Sequence, residues 1–323
     1  MAKTGEGTEQ RVKGRVEVPL QADTPKVQPK RPPDKTLVYK KTPQRELRLS
    51  AYLPSDWKKT DQRPAIVFFF GGGWFKGTPE QFYSKSEYLA ARGLVAFCAE
   101  YRLTGVDGVT VDKCVEDARS AMRYVRGHAA ELGVDANKLV SAGGSAGAHL
   151  AACVAPGTPG FAVDDPNDDL SISCVPQAMV LFNPVLDTDD LRRTWKTPDY
   201  VLGLVSGNSE QEKRQALLAL SPLHHVAPGL PPAILFYGTN DAFLAHGRAW
   251  RDKGRAVGNR VELWTAEGLP HGFFNAAPWH QATLIAVDRF LCSLGFVKGP
   301  ATIAPASDRA VLREDAAPAP SLK

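Results

Sequence analysis

Three residues far apart in the sequence, Ser145, Asp241 and His271, are of the types that together perform nucleophilic catalysis on a carbonyl carbon. Ser145 stands in Gly143-Gly144-Ser145-Ala146-Gly147, a G-x-S-x-G pattern inside the stretch KLVSAGGSAGAHLAA (Lys138 to Ala152). An apolar run that stops at glycines, turns on a serine and resumes as small helix formers predicts strand, sharp turn, helix, with the hydroxyl projecting from the turn. The flanking glycines suit close backbone approach, where a Cβ would clash. A serine hydroxyl is a poor nucleophile near neutral pH, so it needs a base within hydrogen-bond reach and an acid to orient that base. Both follow in the chain: Asp241 in Thr239-Asn240-Asp241 after AILFYG, and His271 in Gly268-Leu269-Pro270-His271-Gly272 after RVELWT.

Rivals exist for each role. Asp187, in VLDT after the preceding strand, is the other candidate acid, and Asp241 is preferred because the acid belongs to the strand loop next before the histidine. Of the seven histidines, His149 lies four residues after Ser145 and is expected to pack or bond locally. His224 and His225, in SPLHHVAP, either line an insertion over the site or serve a plain loop. His128, His246 and His280 are read as surface residues. An oxyanion hole needs donors aimed at developing charge, and AIVFFF ends in Gly71-Gly72-Gly73-Trp74, whose bare backbone can present N–H groups. A phosphate cradle is the competing reading of these glycines. It fails because Gly72 and Gly77 are spaced like the start of a P-loop but Thr78 stands where the lysine must be.

The elements that must carry these residues are legible as periodicity. Thr36 to Lys40 and Glu46 to Leu53 alternate like half-exposed strands, whereas Ala65 to Phe70 and Gly93 to Ala99 are continuous apolar runs, as strands buried on both faces should be. A helix from Asp112 to about Ala129 puts Cys114, Ala118, Ala121, Met122, Val125 and Ala129 on one face. Further strands are expected at Ala178 to Asn183, Ala233 to Gly238 and Arg260 to Thr265, with helices near Phe243 to Val257 and Gln281 to Leu294. Alternation of this kind predicts an α/β fold with a mostly parallel central sheet and helices on both faces, its site at the carboxyl ends of the strands. Pro156 to Pro176 reads as a loop. Residues of about 186–228 read as a small, partly helical cap insertion.

At 323 residues and 43% hydrophobic, the chain accommodates one large domain with tails. Residues 1–34 and 299–323 are polar and Pro-rich and are expected to be flexible, leaving 35–298 as the catalytic domain. The 39 basic and 35 acidic residues leave +4 without a basic face, so nucleic acid is not an expected partner. No apolar run reaches the ~18 residues of a membrane span. The five cysteines lie apart, with no metal-ligand spacing, so no metal is expected and one disulfide stays open. The N-terminal residues as given contain no apolar signal core, so the expected compartment is the cytoplasm, or secreted if a signal was removed.

With these residues in place, the chain resembles the α/β-hydrolase esterases of the hormone-sensitive-lipase and carbohydrate-esterase type, including acetyl xylan and feruloyl esterase-like proteins. The matching pieces are FGGGW (Phe70 to Trp74), EYRL (Glu100 to Leu103), GGSAGAHLAA (Gly143 to Ala152), SPLHHVAPGLPP (Ser221 to Pro232), GTND (Gly238 to Asp241) and HGFF (His271 to Phe274). The resemblance implies the α/β-hydrolase fold and a serine carboxylesterase with Ser145, Asp241 and His271 as triad and the N–H groups of Gly72, Gly73 and Ala146 as oxyanion hole. It implies no cofactor, and as substrate a small-molecule or polysaccharide ester with a short acyl group, acetyl or feruloyl. Trp74 and His225 are the candidates to touch it. Phe70 stands where the family's usual His-Gly-Gly-Gly has its histidine, and its ring is expected to pack under the glycine turn. An exopeptidase or amidase on the same fold, and a non-catalytic hydrolase relic that binds a small molecule, are the alternatives. Oligomeric state is not given by the sequence.

Overall fold

The computed structural model describes residues 26–155, 163–194 and 198–315. In chain order the elements are β1 (Lys35–Lys41), β2 (Glu46–Tyr52), β3 (Arg63–Phe69), α1 (Tyr83–Ala91), β4 (Val95–Ala99), α2 (Val111–Gly127), α3 (Ala129–Leu132), β5 (Val134–Gly144) and α4 (Ala146–Cys153). They continue with β6 (Ala178–Phe182), α5 (Leu191–Thr194), α6 (Pro198–Gly203), α7 (Glu210–Ala219), β7 (Ala233–Gly238), α8 (Leu244–Ala256), β8 (Val261–Ala266), α9 (Trp279–Ser293) and β9 (Leu312–Glu314).

The strands form one sheet in the order β1-β2-β4-β3-β5-β6-β7-β8-β9. From β4 to β8 all neighbours run parallel, and the antiparallel pairs are confined to the two edges. This is the α/β-hydrolase fold. The apolar runs become the middle of the sheet: β4, β6 and β7 are buried at every position, as strands covered on both faces require. On α2 the expected face is the buried one, with Cys114, Ala118, Ala121, Met122 and Val125 fully enclosed.

Register is what assembles the site. Phe69 pairs with Gly143, Gly144 with Phe182, and Phe182 with Phe236, so β3, β5, β6 and β7 end level with one another. The loops that follow these strands therefore open on a single edge of the sheet, the place where sites form in such folds. A buried ionic cluster ties the carboxyl ends of β1 and β4 to the first turns of α2. Lys40 of β1 reaches Glu116, Asp117 and Asp165 at 3.1, 2.8 and 2.6 Å, and Arg102 of the EYRL segment meets Asp117 at 2.7 Å.

The described parts of the two expected tails, 26–34 and 299–315, make contacts with the body. Leu312–Glu314 adds β9 to the exposed edge of β8, satisfying N–H and C=O groups that an edge strand leaves unpaired. Asp315 then pairs with the buried Arg251 and, at 2.8 Å, with Arg248. At the other end, the Asp34 N–H donates to Ala51 O at 2.8 Å and Val27 N–H to Asn275 O at 3.4 Å. Residues 1–25 and 316–323, and 156–162 of the expected loop, lie outside the described residues. All five cysteines are free thiols. Among the described residues no helix is long and apolar enough to cross a membrane, and no group of three or more His, Cys, Asp or Glu is arranged to hold a metal ion.

Candidate active site

β5 passes into α4 through Ser145, which adopts φ 54° and ψ −118°. A non-glycine residue at positive φ stores strain of roughly 1–3 kcal/mol and persists only where its surroundings over-determine it. Here the Ser145 N–H donates to Phe182 O at 2.8 Å while its carbonyl accepts from the His149 N–H at 3.0 Å. The glycines of the motif do what the pattern requires. A Cβ on Gly143 would stand 2.3 Å from Gly147 O, and one on Gly147 would stand 2.1 Å from Phe69 O, so neither position admits a side chain.

The loops after β7 and β8 bring the other two expected residues to this serine. Ser145 Oγ lies 2.8 Å from His271 Nε2, and His271 Nδ1 lies 2.8 Å from Asp241 Oδ2. The Asp241 side chain is wholly buried, whereas that of His271 is 36% exposed, so the chain of three runs from the interior to an accessible surface. Asp241 Oδ1 accepts the Phe243 N–H at 2.9 Å. A carboxylate facing Nδ1 fixes the proton there and leaves the Nε2 lone pair for the serine hydroxyl. Asp187, the rival acid, is engaged elsewhere: it lies 3.6 Å from His224 Nε2 and accepts the Ser221 hydroxyl at 3.4 Å.

Asn183 is a residue that sequence reasoning missed. It follows β6 at φ 49°, donates its amide to Asp241 Oδ2, and accepts the Gly272 N–H on Oδ1 at 3.3 Å. One side chain thus ties the acid to the loop of the imidazole. The available signal was only an Asn at a strand end, a residue type that tolerates the left-handed conformation.

Beyond β3 the chain runs through Gly72 (φ 126°), Gly73 (φ 66°) and Trp74 (φ 59°). The Gly71 N–H is spent on Gln81 Oε1 at 2.6 Å, but the N–H groups of Gly72, Gly73 and Ala146 make no hydrogen bond among the described residues. Phe70 is buried as expected, stacked on Tyr101 at a centroid distance of 4.3 Å, and the Tyr101 hydroxyl donates to Phe70 O at 2.7 Å. A Cβ on Gly77 would meet the Phe70 ring at 2.7 Å, so the loop folds directly over that ring.

Trp74 is corrected as a substrate-binding candidate. It is fully enclosed, and its indole N–H donates to His149 Nδ1 at 3.2 Å, so nothing of the ring faces a ligand. His149 in turn donates from Nε2 to Leu220 O at 2.7 Å, a long-range bond rather than the local one expected of it, and burial lowers its imidazole to about 4. His225 donates to Ala219 O at 2.7 Å, fastening its 3₁₀ turn (Pro222–His225) to α7. His246 and His280 are not surface residues. Their helices turn them inward, His246 to Asp190 at 3.0 Å and His280 to Ser84 at 2.9 Å.

Comparison with known proteins adds to this geometry. The family model BD-FAE matches residues 49–249. The chain belongs to the BD-FAE family. That match takes in Gly72, Gly73, Ser145, Ala146 and Asp241, and ends before His271. The chain is also similar to the structure of Thermogutta terrifontis esterase 2 in its apo form, at a TM-score of 0.72 and 42% identity, over 82% of this chain and 96% of that one. Among curated proteins it is 27% identical over 248 residues to a probable isoprenylcysteine alpha-carbonyl methylesterase, ICMEL1, of Oryza sativa subsp. japonica, and 26% identical over 248 residues to carboxylesterase NlhH of Mycobacterium tuberculosis. The NlhH match covers 72% of this chain and 74% of that one. The ICMEL1 match covers 73% of this chain but 56% of the relative, so the chain spans about half the length of the plant proteins it matches.

Proposed function

We propose that the protein is a serine carboxylesterase acting on short-chain acyl esters through an acyl-enzyme. The observation that carries this reading is the continuous hydrogen-bonded chain from Ser145 through His271 to the buried Asp241. His271 Nε2 takes the hydroxyl proton as Ser145 Oγ bonds to the ester carbon, and Asp241 stabilises the imidazolium that results. The oxyanion so formed is received by the N–H groups of Gly72, Gly73 and Ala146, which no other acceptor among the described residues engages. Collapse expels the alkoxide, which takes the proton from His271. Water then adds to the acyl carbon with His271 as base again, releasing acid and restoring Ser145.

The segment from Asp187 to His225, with α5, α6 and α7, serves in this reading as the cap. It is held to the body by His149 on Leu220 O at 2.7 Å and by Val111 N–H on Leu204 O at 2.8 Å. For the acyl group, support comes from the Thermogutta esterase 2 structures with propionate and with butyrate bound, 44% and 43% identical to this chain. They favour a small aliphatic acid. Acetyl esters of plant polysaccharide fit that size; feruloyl esters, the other substrate suggested by resemblance, need room for an aromatic ring.

A fluorophosphonate should label wild-type protein at Ser145 and leave Ser145→Ala unlabelled. Hydrolysis of p-nitrophenyl acetate, butyrate and octanoate, methyl ferulate and acetylated xylan then ranks the substrates. Turnover by an unlabelled protein, or octanoate cleaved best, would overturn the nucleophile or the acyl size respectively.

A further inference from the structure

Gln81, in the 3₁₀ turn Pro79–Phe82 just ahead of α1, accepts the Gly71 N–H on Oε1 at 2.6 Å and donates from Nε2 to Asn275 Oδ1 at 3.0 Å. Asn275 donates from Nδ2 to Gly272 O at 2.9 Å. We infer that Gln81 and Asn275 are positioning residues that lock the loop of the proposed oxyanion donors to the loop of the proposed base, an inference that rests on the esterase reading above.

The direction of this chain of amides is dictated by its ends. Gly71 offers an N–H that only donates, and Gly272 offers a carbonyl that only accepts. Gln81 must therefore turn its oxygen to Gly71 and its nitrogen to Asn275, and Asn275 must repeat the arrangement toward Gly272. Each end touches the chemistry. Gly71 precedes Gly72 and lies so close to the nucleophile turn that a Cβ on it would stand 2.8 Å from Gly144 O and 3.3 Å from Ser145 Cβ. Gly272 follows His271. The oxyanion loop is thus set by the elbow on one side and by Gln81 on the other, and Gln81 is set by the loop that aims the imidazole. Donors and base have to be right at the same moment of the reaction, and a shared brace accomplishes that.

Neither amide belongs to the core. Both are half-buried and line a cavity of about 480 Å³ together with Lys26, Gln28, Lys76 and Thr78, so either can be replaced without opening the interior. The isosteric replacements are the informative ones. Gln81→Glu still accepts from Gly71 but has no donor for Asn275, and Asn275→Asp still accepts from Gln81 but sets a carboxylate oxygen against Gly272 O.

The test is steady-state kinetics on p-nitrophenyl acetate with the full chain carrying Gln81→Leu, Gln81→Glu, Asn275→Leu, Asn275→Asp, and Gln81→Leu with Asn275→Leu. Misaimed donors should lower kcat of Gln81→Leu by roughly 10- to 100-fold, below the loss of a whole donor, with KM and Tm little changed. Gln81→Glu should fall between it and wild type, and the double variant should be no slower than the slower single. An unchanged kcat in Gln81→Leu, or single effects that multiply in the double variant, would overturn the relay, as would a fall in Tm with kcat intact. Fluorophosphonate labelling of wild-type Ser145 separates the two ideas. If it labels and the Gln81 variants are inert to change, the relay alone fails; if it does not label, the esterase reading fails and takes the relay with it.

Discussion

Ser145 Oγ lies 2.8 Å from His271 Nε2, and Ser84 Oγ lies 2.9 Å from His280 Nε2. By distance the two pairs are the same. Behind His271 stands the Asp241 carboxylate, ready to stabilise an imidazolium, while among the described residues no carboxylate meets His280 Nδ1. Close to His280 is instead Lys85, itself buried, and enclosure together with that lysine pushes the His280 imidazole down to about 2. Ser145 sits on a strained turn next to N–H donors that are unpaired among the described residues, and Ser84 sits on the first turn of α1 under α9. A short contact between hydroxyl and imidazole is therefore no mark of a nucleophile. What distinguishes the two is the carboxylate behind His271 and the exposure of that imidazole, on which the proposed esterase reading rests.

The largest expected difference is at the serines. Ser145→Ala should lower kcat by ~10⁵ to 10⁶, leaving what binding and the oxyanion donors supply alone, whereas Ser84→Ala should leave kcat within about twofold of wild type. Rates on p-nitrophenyl acetate decide it, and a Ser145→Ala enzyme with a tenth of wild-type kcat would mean the wrong serine was chosen. Next come the acids. Asp241→Asn keeps the shape but favours the wrong imidazole tautomer, and should cost ~10⁴ in kcat at neutral pH. Asp187→Asn, which disturbs contacts to His224, Ser221 and the Asp190 N–H, should leave kcat near wild type. The reverse result would hand the role to Asp187.

A smaller effect is expected from the brace beneath the glycine turn. Phe70→Ala removes a ring stacked on Tyr101 and should cost ~3–5 kcal/mol of stability, with kcat falling and KM steady because misaimed donors act on the transition state. Tyr101→Phe keeps the stack and deletes the hydroxyl bond to Phe70 O, for about 1 kcal/mol. Thermal melts with kinetics on both variants separate stacking from hydrogen bonding. Equal losses in the two would assign the brace to the hydroxyl.

These expectations divide by what a sequence can express. The central strands were legible because continuous apolar runs have few other destinations, and the elbow because its glycines answer a steric demand within five residues. The level strand ends, set by pairing Gly143 with Phe69 and Gly144 with Phe182, explain why loops so far apart in sequence converge on one edge. Asn183, Gln81 and Asn275 were not legible, since a single amide carries no periodicity and the ties that matter, Asn183 to Asp241 and Gln81 to Gly71 and Asn275, are made only once the fold brings separate loops together. Trp74 was misjudged because an aromatic after a glycine turn reads equally as a wall of the site or as its support. His246 and His280 were misjudged for the opposite reason: on helices of mixed polarity, a histidine that faces inward looks like one that faces water. The strand Leu312–Glu314 was not legible because a short strand draws its order from the edge it covers rather than from its own composition.

The smallest effect expected separates the two imidazoles by stability rather than rate. Unfolded, His280 should titrate near ~6.5; folded, it is pushed down to about 2. Between those values the unfolded chain binds a proton that the folded chain refuses, so stability is whole above about 6.5 and is lost as pH falls toward about 2. At pH 5 the loss from this one group is about 2 kcal/mol, some 1.5 units of titration at 1.36 kcal/mol each. Lys85, whose ammonium burial drives well below the lysine range, weakens the fold on acidification in the same direction and has to be kept in any comparison. His280→Gln removes the titrating group while retaining a polar partner for Ser84, and its own contact losses are the same at every pH. The drop in urea-unfolding stability between pH 8 and pH 5 should therefore be smaller in His280→Gln than in wild type by about 2 kcal/mol, with kcat unaltered. Equal drops in the two proteins would show that His280 takes up its proton in the folded state, and a fall in kcat would show that the second serine–histidine pair reaches the first.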